Sequence, residues 1–336
     1  MPDKLHVQVE SVELPLREPF SIAGHTWDSA ENVFCTVTWG ESSGRGESSP
    51  NEIAGETVAS VVTALSAVDL DRLSGPFDLE GVHDLLPAGS ARAALDIALY
   101  DLAATMAGVS VSELLGLGGR RLPPTSVTVA IAERDHMVER ARSLAAHPVL
   151  KTKVGFDGDV DAVAAIRDVY DGALRIDANQ GWERDDAINR LRALAGYDIE
   201  LCEQPVAAGR HDHLAAVTAE SPIPIFADED VATASDVVAL TGRVHGVNLK
   251  LRKAGGIREL VAAAAVARAH GLGVMIGCDL ESGIAATAGA HVSALADFVD
   301  LDGPLLLAND PWPGVAYEDG EMILPTGPGL GVRRAG

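Results

Sequence analysis

The sequence is short of basic residues, of cysteine and of long apolar runs. Lys and Arg total 26 against 49 Asp and Glu, a formal net charge of −23. Phosphate backbones are held by clustered Lys and Arg, so the deficit excludes nucleic acid as a partner and argues equally against anionic membranes. The longest apolar stretches, such as Leu260 to Ala267, fall well below the ~20 residues of a membrane-spanning helix. The start, MPDKLHVQVE, has neither the basic nor the apolar region of a signal peptide, and a cytoplasmic location is expected. Cys35, Cys202 and Cys278 are odd in number and widely separated, which excludes a disulfide framework and leaves small buried residues. The acidic surplus serves solubility or attracts a cationic ligand, and whole-chain charge does not separate the two.

What is present is a core and a repeat. At 336 residues and 47% apolar content the chain suits a barrel of about 250 residues with a smaller domain. Lys151 and Lys153, Asp177, Glu203, Asp228 and Lys250 each end a short apolar run, at a spacing of about 25 residues. An apolar run followed by a helical stretch is a parallel strand and its crossover, and eight such units close into a barrel whose active site gathers at the strand C-termini. The expected strands are 127–132, 150–154, 174–177, 199–203, 225–228, 247–250, 274–277 and 298–302. Ala-rich segments such as DVDAVAAIRDVY supply amphipathic outer helices.

Before the barrel, HVQVESVELPL alternates apolar and polar residues and VFCTVTW is β-branched and aromatic, so both read as strands. PFSIAGHTWDSAEN between them reads as a loop too long for a hairpin turn, of the kind that forms lids or binding elements. SARAALDIALYDLAATM has helical spacing, with Ser90 as N-cap and Gly108 past its end. The fold class is therefore α/β: a (β/α)8-type barrel at 123–315, an α+β domain at 1–122, and a Gly- and Pro-rich segment at 316–336 that runs back to the first domain.

Asp177, Glu203 and Asp228, from three consecutive strands, would stand side by side at the mouth. Three like charges cannot stay ionised together without a cation, and hard oxygen donors in this number suit Mg²⁺. A single such acid would more simply cap a helix. Lys151 and Lys153, at i and i+2, face the interior, and Lys250 lies four strands away on the opposite wall. Each amine alone could be a partner for a neighbouring acid. Together they are two bases able to reach both faces of one carbon, provided burial and a nearby cation lower a Lys pKa to about 7–8.

The strings LKTKVG, RIDANQGW, CEQP, FADED and NLKLRKAGG, in this order, resemble the muconate-lactonizing subgroup of the enolase superfamily, and most of all its dipeptide epimerases of the L-Ala-D/L-Glu type. PFSIAG and GRGESSP are similar to its capping domain, and GCDLES and DLDGPLLL to its seventh and eighth strands. The resemblance implies Mg²⁺ on Asp177, Glu203 and Asp228, with Lys153 and Lys250 as an acid/base pair acting through an ene-diolate. It also implies that Lys151 tunes Lys153 and helps hold the substrate carboxylate. Asp300 and Asp302 resemble the Asp-x-Asp that binds the α-ammonium of a dipeptide, although the pair could instead meet a protein Arg.

Two departures concern the substrate side chain. Where L-Ala-D/L-Glu epimerases carry an Arg in the first capping loop, this chain has His25, and Asp279 and Glu52 bring acids to the same side. Acids there favour a cationic dipeptide, unless Asp279 pairs with Arg252 or Lys253 and Glu52 is merely solvated; His25, protonated, could contact a carboxylate. Val315, in place of the second Gly of a Gly-Gly pair, changes only a loop. Gly181, Trp182 and Gln204 serve turns and packing as readily as substrate, and Asn179 and Asn248 stand behind the ligands.

The expected enzyme is an isomerase with a small dipeptide as partner and a homo-oligomeric state. Its rivals are an N-acylamino acid racemase, an o-succinylbenzoate synthase or a muconate cycloisomerase, whose substrates have no ammonium for Asp300 and Asp302. A further rival is an inert barrel that acts as a binding protein.

Overall fold

A computed structural model describes residues 4–318 and 320–335. Met1 to Asp3, the first residues of the start read above, lie outside the described residues. The chain opens with an antiparallel sheet of β1 (His6–Ile22), β2 (His25–Trp39) and β3 (Ser42–Ser48). The segment expected to be a long loop is instead the far end of a hairpin. Phe20 pairs with Trp27, Ser21 with Thr26 and Ile22 with His25, and Gly24 turns the chain at φ 78°. A register shift between Pro15 and Phe20 separates this arm from the rest of the ladder. The arm is only partly buried, with Phe20 and Trp27 against the core and the Ser21 carbonyl accepting the Ile131 N–H, so its strands carry no regular apolar alternation and the sequence reads as a loop.

The sheet packs on the Ser90–Ala107 helix, whose core-facing side includes Leu95, Ala98, Leu99 and Leu102. Gly108, at φ 72°, ends it as expected. Ser90 is not its N-cap. Gly89 holds that place, and Ser90 donates both its N–H and its hydroxyl to Glu56, each at 2.7 Å.

Eight parallel strands follow: β4 (Val127–Val129), β5 (Val149–Lys153), β6 (Ala173–Asp177), β7 (Ile199–Glu203), β8 (Ile225–Ala227), β9 (Gly246–Lys250), β10 (Gly273–Gly277) and β11 (Phe298–Asp300). They pair in sequence order, and the Ser126 N–H donates to the Val299 carbonyl at 3.0 Å, bringing the last strand against the first. The fold is the expected barrel with an α+β unit before it. Two strand ends differ from the sequence reading by more than one residue: β4 stops at Val129, and β11 stops at Asp300, leaving Asp302 to precede the short Gly303–Leu306 helix.

Leu201, Phe226 and Met275 form a separate buried apolar cluster, with Phe298 edge-on to Phe226 at 5.4 Å between centroids. β12 (Ala316–Glu318) and β13 (Glu321–Ile323) make a small hairpin in the tail. The tail then reaches the first unit, where Gly329 bridges Ser110 and the Leu330 N–H donates to Asp101 at 2.7 Å. Cys35 and Cys202 are buried, Cys278 is half-buried, and all three are free thiols.

Candidate active site

Parallel pairing sets the strand ends in register around the mouth. Lys153 pairs with Asp177 and Asp177 with Glu203 along one arc, and Lys250 with Gly277 and Gly277 with Asp300 along the other. Asp228 lies one residue beyond β8. The ladder read from the sequence is thus a ring of amines and acids. Asn179, Gln180 and Gln204, just past β6 and β7, take left-handed backbone angles (φ 40°, 67° and 33°), a strain that clusters at functional sites. The Asn179 N–H donates to the Asp177 carboxylate at 2.9 Å, and the Gln204 side-chain oxygen accepts the Asp228 N–H at 2.9 Å.

The lysines and acids make a dense ionic network. Lys151, 2% exposed, lies 2.6 Å from Asp300, 2.7 Å from Glu203 and 3.1 Å from Asp177. Lys153 donates to Asp177 at 2.7 Å and faces the Phe20 ring at 6.0 Å. Lys250 lies 3.0 Å from Asp228, and Lys253 also bonds both the Asp228 carboxylate and its backbone carbonyl.

Burial disfavours the Lys151 and Lys250 ammoniums, yet the acids around them raise both pKa values well above the ordinary lysine range. Asp177 and Asp228 stay low despite burial, Asp177 through Lys153 and Lys151 and Asp228 through Lys250 and Lys253. Glu203 is pushed up to about 8 by burial and by Asp177, with Lys151 opposing.

Among the described residues, no three His, Cys, Asp or Glu side chains converge as a ready ligand cage, and in this structure the acids are ion-paired with lysines. The donor set nonetheless fits a hard divalent cation. Three carboxylates, each no more than 2% exposed, end adjoining strands. Glu203 Oε1 accepts from Asn248 at 2.6 Å, but Oε2 is buried without an aligned donor, since Lys151 approaches it at ion-pair distance only. The Lys151 ammonium offsets its charge at 2.7 Å, and a divalent cation held by the three carboxylates would do the same with more charge.

A cavity of about 1190 Å³ opens above the ring, between the barrel mouth and the first unit. Lys151, Lys153, Lys250, Asp228, Asp300 and Asp302 line it, and so do His25, Glu52 and Asp279. Asp300 is already bonded, to Ser126 at 2.5 Å through one oxygen and to Lys151 through the other. Despite burial, Lys151 holds its pKa down to about 2. Asp302 accepts the Thr128 N–H at 2.7 Å and has no cation partner among the described residues. Burial and the charge of Asp300 push it up to about 6.

Asp279 is held by Arg252 and lies 3.5 Å from Lys250; despite burial these cations bring its pKa down to about 2. Its charge is therefore already met within the protein, as the alternative reading of the sequence allowed. Glu52 is exposed on the cavity rim with no ion pair among the described residues, and His25 stacks on Trp27 at 5.7 Å.

Sequence reasoning passed over Glu31, a second exposed acid on the cavity wall, and Glu229, whose Oε2 is buried and unpartnered. It also gave Lys253 no place at Asp228 and Glu56 none beside Arg252. Glu229 and Lys253 stand inside the quoted strings FADED and NLKLRKAGG, where spacing alone singled out their neighbours.

Comparison with known proteins is consistent along the whole chain. The family model of the mandelate racemase / muconate lactonizing enzyme N-terminal domain matches residues 4–116, and the enolase C-terminal domain-like model matches residues 136–334. An L-Ala-D/L-Glu epimerase of Bacteroides thetaiotaomicron is 37% identical, covering 96% of this chain and 86% of its own. A hydrophobic dipeptide epimerase of Roseobacter litoralis is also 37% identical, over 97% and 98%. The solved structure of a Cytophaga hutchinsonii dipeptide epimerase, complexed with Mg and the dipeptide D-Ala-L-Val, superposes with a TM-score of 0.93 at 31% identity, covering all of this chain and 96% of its own.

Proposed function

Because the chain belongs to the mandelate racemase / muconate lactonizing enzyme family, with its enolase-like barrel, we propose that it is a dipeptide epimerase that inverts the α-carbon of the C-terminal residue by 1,1-proton transfer. It is an isomerase acting on amino acid derivatives, and the observation that carries the finer reading is the pairing of opposed lysines with an unmatched buried acid, Asp302. A free α-ammonium is the cation that Asp302 lacks. N-acyl amino acids and muconate have no such group to offer.

Asp177, Glu203 and Asp228 would hold Mg²⁺, as the enzyme's resident cofactor. When bound, the ion supplies positive charge beside the substrate carboxylate and so offsets the negative charge that develops as the α-proton leaves. Lys153 stands on one wall and Lys250 on the other, four strands apart. One takes the α-proton, and the other returns a proton to the opposite face. A positioned base contributes about 10²- to 10⁴-fold.

Lys151, buried and bonded to three acids between the two walls, suits the substrate carboxylate. Asp300 fixes Lys151, and Asp302 anchors the ammonium, which sets the distance between the peptide's amino end and the reacting carbon. The cavity walls exclude water from that carbon, with Phe20 beside Lys153.

Charge on the cap side points to a cationic side chain on the dipeptide. Asp279 is neutralised by Arg252, so the argument now rests on Glu52, with Glu31 added to it; both acids are exposed on the cavity wall and unpaired among the described residues. His25, which also lines the cavity, has a ring N–H to offer a substrate carboxylate.

Proton NMR in D₂O with Mg²⁺ and a panel of L-Ala-L-Lys, L-Lys-L-Lys, L-Ala-L-Glu, L-Ala-L-Leu and N-succinyl-L-Arg tests the reading. The expected result is α-proton exchange at the C-terminal residue of dipeptides, fastest with the Lys-ended ones, and none with N-succinyl-L-Arg. Exchange of N-succinyl-L-Arg at a dipeptide-like rate would move the function to acylamino acid racemisation, and a preference for L-Ala-L-Glu would remove the role of Glu52.

A further inference from the structure

The two opposed lysines are held in different ways. Near Lys153 the first unit supplies its hairpin tip, where Ala23 packs against the backbone at Gly155 and Gly181, and the nearby Ile131 N–H donates to the Ser21 carbonyl. At Lys250 the contact is polar and continuous. The turn that follows, Leu251–Ala254 with Gly255 and Gly256, is gripped from the Ser90–Ala107 helix. Arg92 donates to the Ala254 carbonyl at 2.7 Å and to the Gly255 carbonyl at 3.1 Å, and Asp96 accepts the Ile257 N–H at 2.5 Å.

Arg92 and Asp96 are four residues apart and so share one face of that helix. The fit is close enough to require glycine. Gly255 and Gly256 have φ of 75° and 120°, and a Cβ on either would collide with the Arg92 guanidinium or the Asp96 carboxylate.

Arg252 closes this grip onto the site. It is 6% exposed, lines the cavity, and bonds Asp279 on one side and Glu56 at 3.2 Å on the other. Glu56 in turn accepts both hydrogen bonds from Ser90. Asp279 lies 3.5 Å from Lys250. A connected run of ion pairs and hydrogen bonds therefore leads from the cap helix, through the cap loop at 51–57, to the amine of one lysine.

We propose that Arg252 and Glu56 form a latch that ties the cap loop at 51–57 and the Ser90–Ala107 helix to the turn after Lys250, and so positions Lys250 as the proton carrier for one face of the substrate. The proposal rests on the epimerase reading for its consequence, but the latch itself does not. Arg252 is a positioning residue that acts through Asp279 and the turn. Removing it leaves Glu56 with Ser90 alone and Asp279 with Lys250 as its one remaining cation, and frees the turn from the loop, while the hairpin-held Lys153 is untouched.

The test has two arms on the full-length Mg²⁺-loaded protein. The first is hydrogen–deuterium exchange of the wild type, Arg252→Met and the milder Glu56→Gln. Residues 51–57 and 250–257 are expected to lose protection together, by about tenfold, while residues 149–153 do not change. The second is α-proton exchange of L-Ala-L-Lys and L-Ala-D-Lys followed separately. The epimer whose α-proton faces Lys250 should exchange about 10- to 100-fold more slowly in both variants, and the other should stay within about twofold.

Equal slowing of both epimers would reduce the pair to a structural role and overturn the positioning claim. Unchanged protection in both segments would overturn the latch. If the wild type exchanges no dipeptide, the epimerase reading falls, and the first arm still decides the latch by itself.

Discussion

Asp302 is the residue on which the choice of substrate turns. Lys151 and Ser126 occupy Asp300, so of the Asp-x-Asp pair only Asp302 has a charge to give. Its pKa of about 6 lies above the ordinary aspartate value because burial and Asp300 disfavour the anion. The anion alone attracts an ammonium. As the pH falls through about 6 the free enzyme takes up a proton there, and KM for a free dipeptide should rise roughly tenfold per unit below that point with kcat little changed. Asp302→Asn should raise KM by about 10- to 100-fold at pH 8 and abolish this rise, which steady-state kinetics between pH 5 and 8 would check. A KM that is flat with pH in the wild type, or unchanged in the variant, would remove Asp302 from substrate binding.

At this scale the sequence was most legible where one residue type recurred at a fixed period, as for the three acids and two lysines. It was least legible where the partner is distant in sequence. Asp279 could be read as free or as paired with Arg252 or Lys253, and only the fold shows that Arg252, 27 residues away at the neighbouring strand end, holds it. Glu56, 196 residues from Arg252, gave no local signal at all.

At the scale of elements, the barrel strands were readable because both their faces are buried and they stand out as apolar runs, with errors of one to three residues at the ends. The β1–β2 arm was misread for the opposite reason. Its residues alternate little because the arm is only partly buried, and only the pairing register and the turn at Gly24 identify it. The Ser90–Ala107 helix was placed correctly, but its charged face was not understood as a docking surface.

Asp96 on that face is buried and pushed up to about 7, chiefly by desolvation, with the Ile257 and Arg258 amides opposing. An acid whose folded pKa exceeds its unfolded value contributes stability that is full below the unfolded pKa, near 4, and is lost as the pH rises through about 7. Asp96→Asn keeps an acceptor for the Ile257 amide without the buried charge. Its stability relative to wild type should therefore improve by on the order of 1–3 kcal/mol between pH 4 and pH 8.5. Urea melts at the two pH values would show this, and a difference independent of pH would contradict the assignment.

The whole molecule divides its labour between a rigid ring of charges and a cap that closes over it. The ring comes from parallel register, which sets Lys153, Asp177 and Glu203 level with one another. The cap contributes the exposed acids Glu31 and Glu52 and the latch at Arg252. The acidic surplus, which the sequence left open between solubility and a cationic ligand, has members at the mouth, where Asp228, Asp300 and Asp302 line the cavity with Glu31 and Glu52. There it leaves room for a divalent cation and for a substrate ammonium together.

The central claim is that Lys153 and Lys250 serve opposite faces of one α-carbon, and it is tested most directly by α-proton exchange in D₂O with separate L- and D-epimers of L-Ala-Lys. Wild type, Lys153→Ala and Lys250→Ala would be compared with Mg²⁺ and after metal removal by EDTA. The account predicts that each variant loses epimerisation by at least about 10³-fold yet keeps exchange on one epimer only, a different epimer for each variant, and that metal-free wild type exchanges neither. If both variants spare the same epimer, or either still interconverts the two at a wild-type rate, the two-lysine account is wrong.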